Sequence, residues 1–216
     1  MRKILLYIIL FLSSIDGVRA LPIEKEGMSI YSPALKKEVS YSIILPEGYE
    51  HSDMEYPVLY MFHGIGGDYT SWLEYGNVAR IMDQMTKKGE IQPFIIVIPD
   101  GYLSYYSDTY DGSFPYETFF TKELVPYIDT NYRTRKNANA RSIAGFSMGG
   151  FGALSVSLRN HNLFGSVVAL SPSIRTEKQY IEEGPQIGWD SQWGRIFGGV
   201  GKNGNERLTS YYKQHS

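Results

Sequence analysis

The stretch that most restricts what this chain can fold into runs from Ala140 to Leu154, Ala-Arg-Ser-Ile-Ala-Gly-Phe-Ser-Met-Gly-Gly-Phe-Gly-Ala-Leu. An apolar strand breaks at a Gly-x-Ser-x-Gly turn and passes directly into a helix, on which Phe151, Leu154 and Leu158 are expected to share the buried face. A strand and a helix meeting over so short a turn need small residues on either side of the apex, and Gly145 and Gly149 supply them. Ser147 at that apex is a candidate nucleophile, and the N–H of Met148, at the positive end of the new helix, is a candidate donor to a developing oxyanion.

Gly-x-Ser-x-Gly alone is a weak signal in a chain rich in glycine and serine, so its neighbours matter. Pro57 to Phe62 is apolar throughout, as a strand buried on both faces should be, and it ends at His63-Gly64-Ile65-Gly66-Gly67. Those glycines let the backbone fold tightly enough to aim the Ile65 N–H at the same oxyanion. A phosphate-cradling loop is the rival, but the Lys-Ser/Thr that should close it is missing.

Around these two motifs the chain alternates strand and helix patterns. Gly27 to Tyr31 and Val39 to Leu45 read as an antiparallel hairpin; Val78, Ile81, Met82 and Met85 mark an amphipathic helix; Phe94 to Ile98 is a second buried strand. A helical pattern over Phe119 to Ile128 carries an expected kink at Pro126, and Ser166 to Leu170 reads as a further buried strand. This order predicts an α/β fold, a mostly parallel sheet with helices on both faces and an antiparallel hairpin at its start. The tyrosine-rich stretch Tyr102 to Tyr116 follows the carboxyl end of a strand, where ligands bind in such sheets; Tyr105 and Tyr106, with Trp72, are the candidate substrate contacts. Residues 189–199 read as loop.

Size and composition set the remaining bounds. A 216-residue chain is one domain by size, and a net charge of −2 without a basic run leaves no electrostatic footprint for nucleic acid. Arg2 and Lys3, the apolar run Ile4 to Leu12 and the small-residue site Val18-Arg19-Ala20 read as a cleaved signal peptide over residues 1–20, with the domain over 21–216 and the product secreted or periplasmic. The apolar run is too short to span a bilayer, so no membrane association is expected after cleavage. The chain has no cysteine, and no His, Asp or Glu residues recur at metal-ligand spacing, so neither a metal nor another cofactor is expected.

Taken together and in order, His63-Gly64-Ile65-Gly66-Gly67, Pro99-Asp100-Gly101, Glu123-Leu124-Val125-Pro126-Tyr127-Ile128 and Gly145-Phe146-Ser147-Met148-Gly149-Gly150 resemble the esterase D family of α/β-hydrolases. That family includes feruloyl esterases, acetyl esterases of plant polysaccharides, S-formylglutathione hydrolases and mycolyl transferases. The resemblance implies a three-layer α/β-hydrolase sandwich, with Ser147 as nucleophile and the N–H groups of Ile65 and Met148 as oxyanion hole. It also implies an ester-bearing carbohydrate or small-molecule ester as substrate. The signal segment argues against an S-formylglutathione hydrolase, whose thioester substrate is cytosolic.

One departure from the family's pattern stands out. The family's triad acid and histidine follow the seventh and eighth strands, and the strand pattern here stops before a seventh, so the expectation is a sheet lacking its last two strands, with triad acid and histidine not present in this chain. His161 and His215 are the histidines after Ser147, and Glu177, Glu182, Glu183, Asp190 and Glu206 the carboxylates that come into question; none follows a recognisable strand. A non-catalytic remnant that keeps the pocket but not the triad is therefore the alternative. The missing strands also predict an exposed sheet edge through which the chain dimerises.

Overall fold

The computed structural model describes residues 22–176, Gln179 and 192–197. The signal segment, His215 and the downstream carboxylates lie outside them. Six strands form one sheet in the order β1-β2-β4-β3-β5-β6: β1 Ile23–Ser32, β2 Lys37–Leu45, β3 Val58–Phe62, β4 Ile95–Pro99, β5 Arg141–Phe146 and β6 Ser166–Leu170. β1 and β2 form the expected antiparallel hairpin, β2 joins β4 antiparallel, and β3 runs parallel to both β4 and β5. β6 extends the sheet parallel to β5.

Alternation along each strand divides the core into two layers. Val39, Tyr41, Ile43, Tyr60, Phe62, Val97 and Ile143 face one side, while Ile44, Met61, Ile96 and Ile98 face the other. The second side is covered by α1 Ser71–Glu74 and α2 Val78–Lys87, which buries Ala79 and Met82 but leaves Ile81 outward. The first is covered by α3 Tyr116–Phe119, a π-turn Phe120–Leu124, α4 Val125–Asn131 and α5 Met148–Arg159. Two helical layers around a sheet make the three-layer sandwich. Each fully buried Phe, Ile or Val in it contributes about 1.5–3 kcal/mol.

Four expectations are corrected. The irregularity between α3 and α4 is the π-turn ahead of Pro126, which lies at the start of α4 and has no N–H to donate to the turn before it. α5 does not bury Phe151, Leu154 and Leu158 together: Phe151 packs partly buried against the core, Leu158 is 65% exposed, and the buried positions are Met148, Gly149, Gly150, Gly152, Ala153, Val156 and Ser157. Small residues let this helix approach the sheet closely: a Cβ on Gly149 would overlap the Phe62 carbonyl and one on Gly150 the Leu170 carbonyl. β6 is not a buried strand: among the described residues it is an edge, with Val167, Val168 and Leu170 exposed. Within the stretch expected to be loop, Gln192–Phe197 forms a helix, α6, that buries Ile196 and Phe197 in the first core layer.

Candidate active site

Ser147 sits between β5 and α5 with φ 56° and ψ −115°. A side-chain-bearing residue pays about 1–3 kcal/mol for such backbone geometry, and it persists only where the surroundings hold it. Here the Ser147 N–H donates to the Leu170 carbonyl at 2.9 Å, and the Ser147 carbonyl accepts from the Ser173 and Phe151 N–H groups at 3.0 Å each. Gly145 and Gly149 are both required: a Cβ on the first would overlap the Gly149 carbonyl, and one on the second would overlap the Phe62 carbonyl. The turn therefore puts the partly exposed Ser147 side chain at the carboxyl end of the sheet, with the first N–H groups of α5 unable to pair within the helix.

The loop after β3 lies against this turn. A Cβ on Gly64 would stand 3.2 Å from the Phe146 ring, so the loop and the residue before the nucleophile are in contact range. Ile65 is half exposed, and no hydrogen bond among the described residues occupies its N–H. The two backbone donors named from sequence, Ile65 and Met148, thus sit on adjoining elements, one on the loop and one at the first position of α5.

His63 is buried and fully committed. Its Nε2 accepts the Gly101 N–H at 2.8 Å, which fixes the proton on Nδ1, and Nδ1 donates to the Gly64 carbonyl at 2.8 Å. The Asp100 carboxylate is 3.7 Å from Nε2, beyond hydrogen-bond distance from a nitrogen that carries no proton, and it accepts the Tyr102 N–H instead at 2.8 Å. His63 is a tie between the loop and the end of β4, as expected for a residue of the oxyanion loop. The other described histidines, His51 in a short helical turn and His161 just after α5, are exposed, and no histidine among the described residues hydrogen-bonds to Ser147.

Next to the oxyanion loop opens a cavity of about 1180 Å³, lined by Gly66, Asp68, Tyr102, Leu103, Tyr110 and Phe114 among others. Its walls mix three aromatic rings, Tyr102, Tyr110 and Phe114, with the charged Lys37, Asp68, Asp100 and Asp111; Tyr102 and Phe114 meet edge to face at 5.8 Å, and the Lys37 ammonium lies 3.9 Å above the Tyr102 ring. The 102–116 stretch borders this cavity, but the residues that face it differ from those named from sequence. Tyr105 and Tyr106 are 1% and 0% exposed and belong to the core. Both have positive φ, 52° and 59°, as does Tyr102 at 49°, yet Tyr102 takes the wall with Tyr110 and Phe114 while Tyr105 and Tyr106 pack inward. Burial pushes the Tyr106 hydroxyl well above its ordinary value of 10.0, so it stays protonated. Trp72 lies in α1, partly buried against the second core layer, and does not line the cavity; its indole N–H is buried with no partner among the described residues. Neither the positive φ values nor the inward tyrosines have a sequence signature. Among the described residues no cluster of His, Asp or Glu is suited to a metal ion.

The Esterase family model matches residues 32–214. The chain belongs to the Esterase family. It is 34% identical over 147 residues to an endo-1,4-beta-xylanase/feruloyl esterase of Xylanibacter ruminicola, a match covering 65% of this chain and 20% of that protein. An esterase of Mycobacterium tuberculosis is 39% identical over 129 residues, 58% of this chain and 27% of the relative. The matched region thus spans between a fifth and about a quarter of these two curated relatives. Among solved structures, a ferulic acid esterase superposes with a TM-score of 0.71 at 28% identity, covering 91% of this chain and 70% of that one. The fold is that of the α/β-hydrolases.

Proposed function

We propose that this chain is the catalytic domain of an exported serine carboxylesterase, acting on feruloyl or acetyl esters of plant polysaccharide through an acyl-enzyme on Ser147. The observation that carries the reading is the strained Ser147 at the apex of its turn, beside an unoccupied Ile65 N–H and the first N–H of α5. The Ser147 oxygen gives up its proton and attacks the ester carbonyl carbon, the carbonyl oxygen takes up negative charge facing those donors, and the C–O bond to the alcohol breaks as the alcohol leaves with the proton that Ser147 lost. Water then attacks the acyl-serine and releases the acid. No cofactor enters this scheme.

Substrate class follows from the cavity. At about 1180 Å³, with the rings of Tyr102, Tyr110 and Phe114 on its wall and Gly66 and Gly67 of the oxyanion loop at its edge, it has room for an aromatic acyl group together with a sugar, and such rings stack on both. A xylanase/feruloyl esterase among the relatives supports the same class. The basic start, apolar run and small-residue site at residues 1–20 support export, and mature protein recovered outside the cytoplasm should begin at Leu21. An intact Met1 on that material would overturn export by cleavage.

The deciding experiment pairs turnover with covalent trapping. Wild-type protein should hydrolyse 4-nitrophenyl acetate and methyl ferulate, at a low rate because no described histidine reaches Ser147 to take its proton, and take up one fluorophosphonate at Ser147, seen as a mass shift on the peptide that carries it. Ser147→Ala should lose both without loss of folding, because the hydroxyl is at the surface of the turn; retained turnover would overturn the assignment. One observation favours a second reading, a protein that binds esters without cleaving them: His63 has both ring nitrogens engaged, and neither other described histidine bonds to Ser147. Ester binding with neither turnover nor labelling would select it.

A further inference from the structure

We propose that Tyr106 is the positioning residue of the oxyanion loop, holding the segment that presents the Ile65 N–H against the nucleophile helix from the face that substrate does not reach. The inference rests on the esterase reading and adds a residue to it. Tyr106 is fully buried, so it touches no substrate. Its hydroxyl donates to the His63 carbonyl at 3.1 Å, at the point where the loop leaves β3. A Cβ on Gly149 would lie 2.6 Å from that same carbonyl oxygen, so the His63 peptide is caught between the Tyr106 hydroxyl and the second residue of α5.

The ring is as constrained as the hydroxyl. It stacks parallel on Phe62, with centroids 3.8 Å apart and planes 5° apart. Elsewhere it fills the spaces left by two glycines: a Cβ on Gly101 or on Gly152 would run into it. Gly101 is the residue whose N–H holds His63 Nε2, and Gly152 lies on the buried face of α5. Tyr116 meets the ring edge to face at 5.4 Å and is itself anchored through its hydroxyl to the Asp100 carbonyl at 2.8 Å. One side chain therefore touches the end of β3, the end of β4 and the nucleophile helix, the three elements whose relative placement sets the distance between the Ile65 and Met148 donors. The backbone is shaped for it, since Tyr106 keeps φ 59° while its N–H donates to Ser104 Oγ at 2.9 Å.

A donor that is slightly misplaced costs most when negative charge develops on the oxygen, and little when the neutral ester binds. Tyr106→Phe keeps the ring and removes only the tie to the loop. In the full chain it should lower kcat on 4-nitrophenyl acetate about tenfold with KM within about twofold, and leave the melting temperature within a few degrees. Backbone amide exchange over residues 63–68 should quicken about tenfold while the remaining segments keep their protection. Gly152→Ala, which pushes on the ring from the helix side, should lower kcat in the same way despite the better helix propensity of alanine. Unchanged kcat in Tyr106→Phe, unchanged exchange over 63–68, or protection lost across the whole molecule would each overturn the proposal. A wild-type protein without ester turnover would sink the esterase reading, and the exchange measurement would still decide whether Tyr106 holds the loop.

Discussion

The α-carbon of Gly149 faces the carbonyl oxygen of Phe62 so closely that no side chain fits between them. Through this one approach the helix that begins after Ser147 rests on the start of the oxyanion loop. Gly149→Ala must separate the two, so it should destabilise the fold by about 1–3 kcal/mol and lower esterase turnover by more than the loss of folded protein accounts for. A denaturant melt and an assay at equal folded concentration test this, and wild-type values in both would contradict the packing described.

At the opposite end of β5, Arg141 is almost fully buried and donates to Asp129 at 2.6 Å and to the Leu163 carbonyl at 3.0 Å. Thr134 gives its hydroxyl to the other Asp129 oxygen at 2.7 Å. Asp129→Ala leaves a guanidinium without its counter-charge, which should cost about 3–5 kcal/mol and lower Tm by roughly 6–20 °C. Replacing both partners, Asp129→Leu with Arg141→Met, should recover much of that loss. A single variant that loses under about 1 kcal/mol would show the pair to be solvated.

What could be read in the sequence was whatever leaves a residue pattern at fixed offsets. Ser147 with Gly145 and Gly149, and the glycines after His63, were legible because a strained turn and a close backbone approach exclude other residues. Strands β3 and β4 were legible as continuous apolar runs, since both of their faces are covered, and β5 as the strand that feeds the Gly-x-Ser-x-Gly turn. Tyr105 and Tyr106 were not, because a loop without periodicity gives no sign of which of its tyrosines pack inward, and positive φ does not sort them, since Tyr102 on the cavity wall shares it. The face of α5 was misread for a related reason: apolar pattern marks large side chains, whereas this helix packs through glycine and alanine and leaves Leu158 outside. In α6, Gly194 hid a helical turn that buries Ile196 and Phe197.

Asp68, on the cavity wall beside the oxyanion loop, offers a pH test. Burial pushes its carboxyl up, but the Thr70 N–H at 2.7 Å and hydroxyl at 2.8 Å outweigh this and hold it below the ordinary 3.8. A carboxyl depressed in the folded state stabilises fully above its unfolded pKa and loses that contribution as pH falls through the folded value. Wild type should therefore exceed Asp68→Asn in stability by a constant margin above about pH 5, with the margin shrinking below about pH 4. A margin that stays constant into the acid range would show that the carboxylate is not held by these donors.

β6 carries the last prediction. Its inner edge is paired with β5 from Ser142↔Ser166 to Phe146↔Leu170, and among the described residues nothing pairs with its outer edge. Val168 is 51% exposed and Leu170 45%, so free backbone donors and acceptors lie beside uncovered apolar surface on the same short strand. That combination recruits another strand, and an identical β6 from a second molecule is a matching one. The 21–216 chain should therefore self-associate, with weight-average mass rising with concentration in sedimentation. Val168→Lys places a charge in the middle of the edge and should shift the equilibrium toward monomer without lowering Tm, because the wild-type valine contributes little burial. A wild-type protein that sediments as a monomer at every concentration and unfolds in one sharp transition would show that this edge is covered.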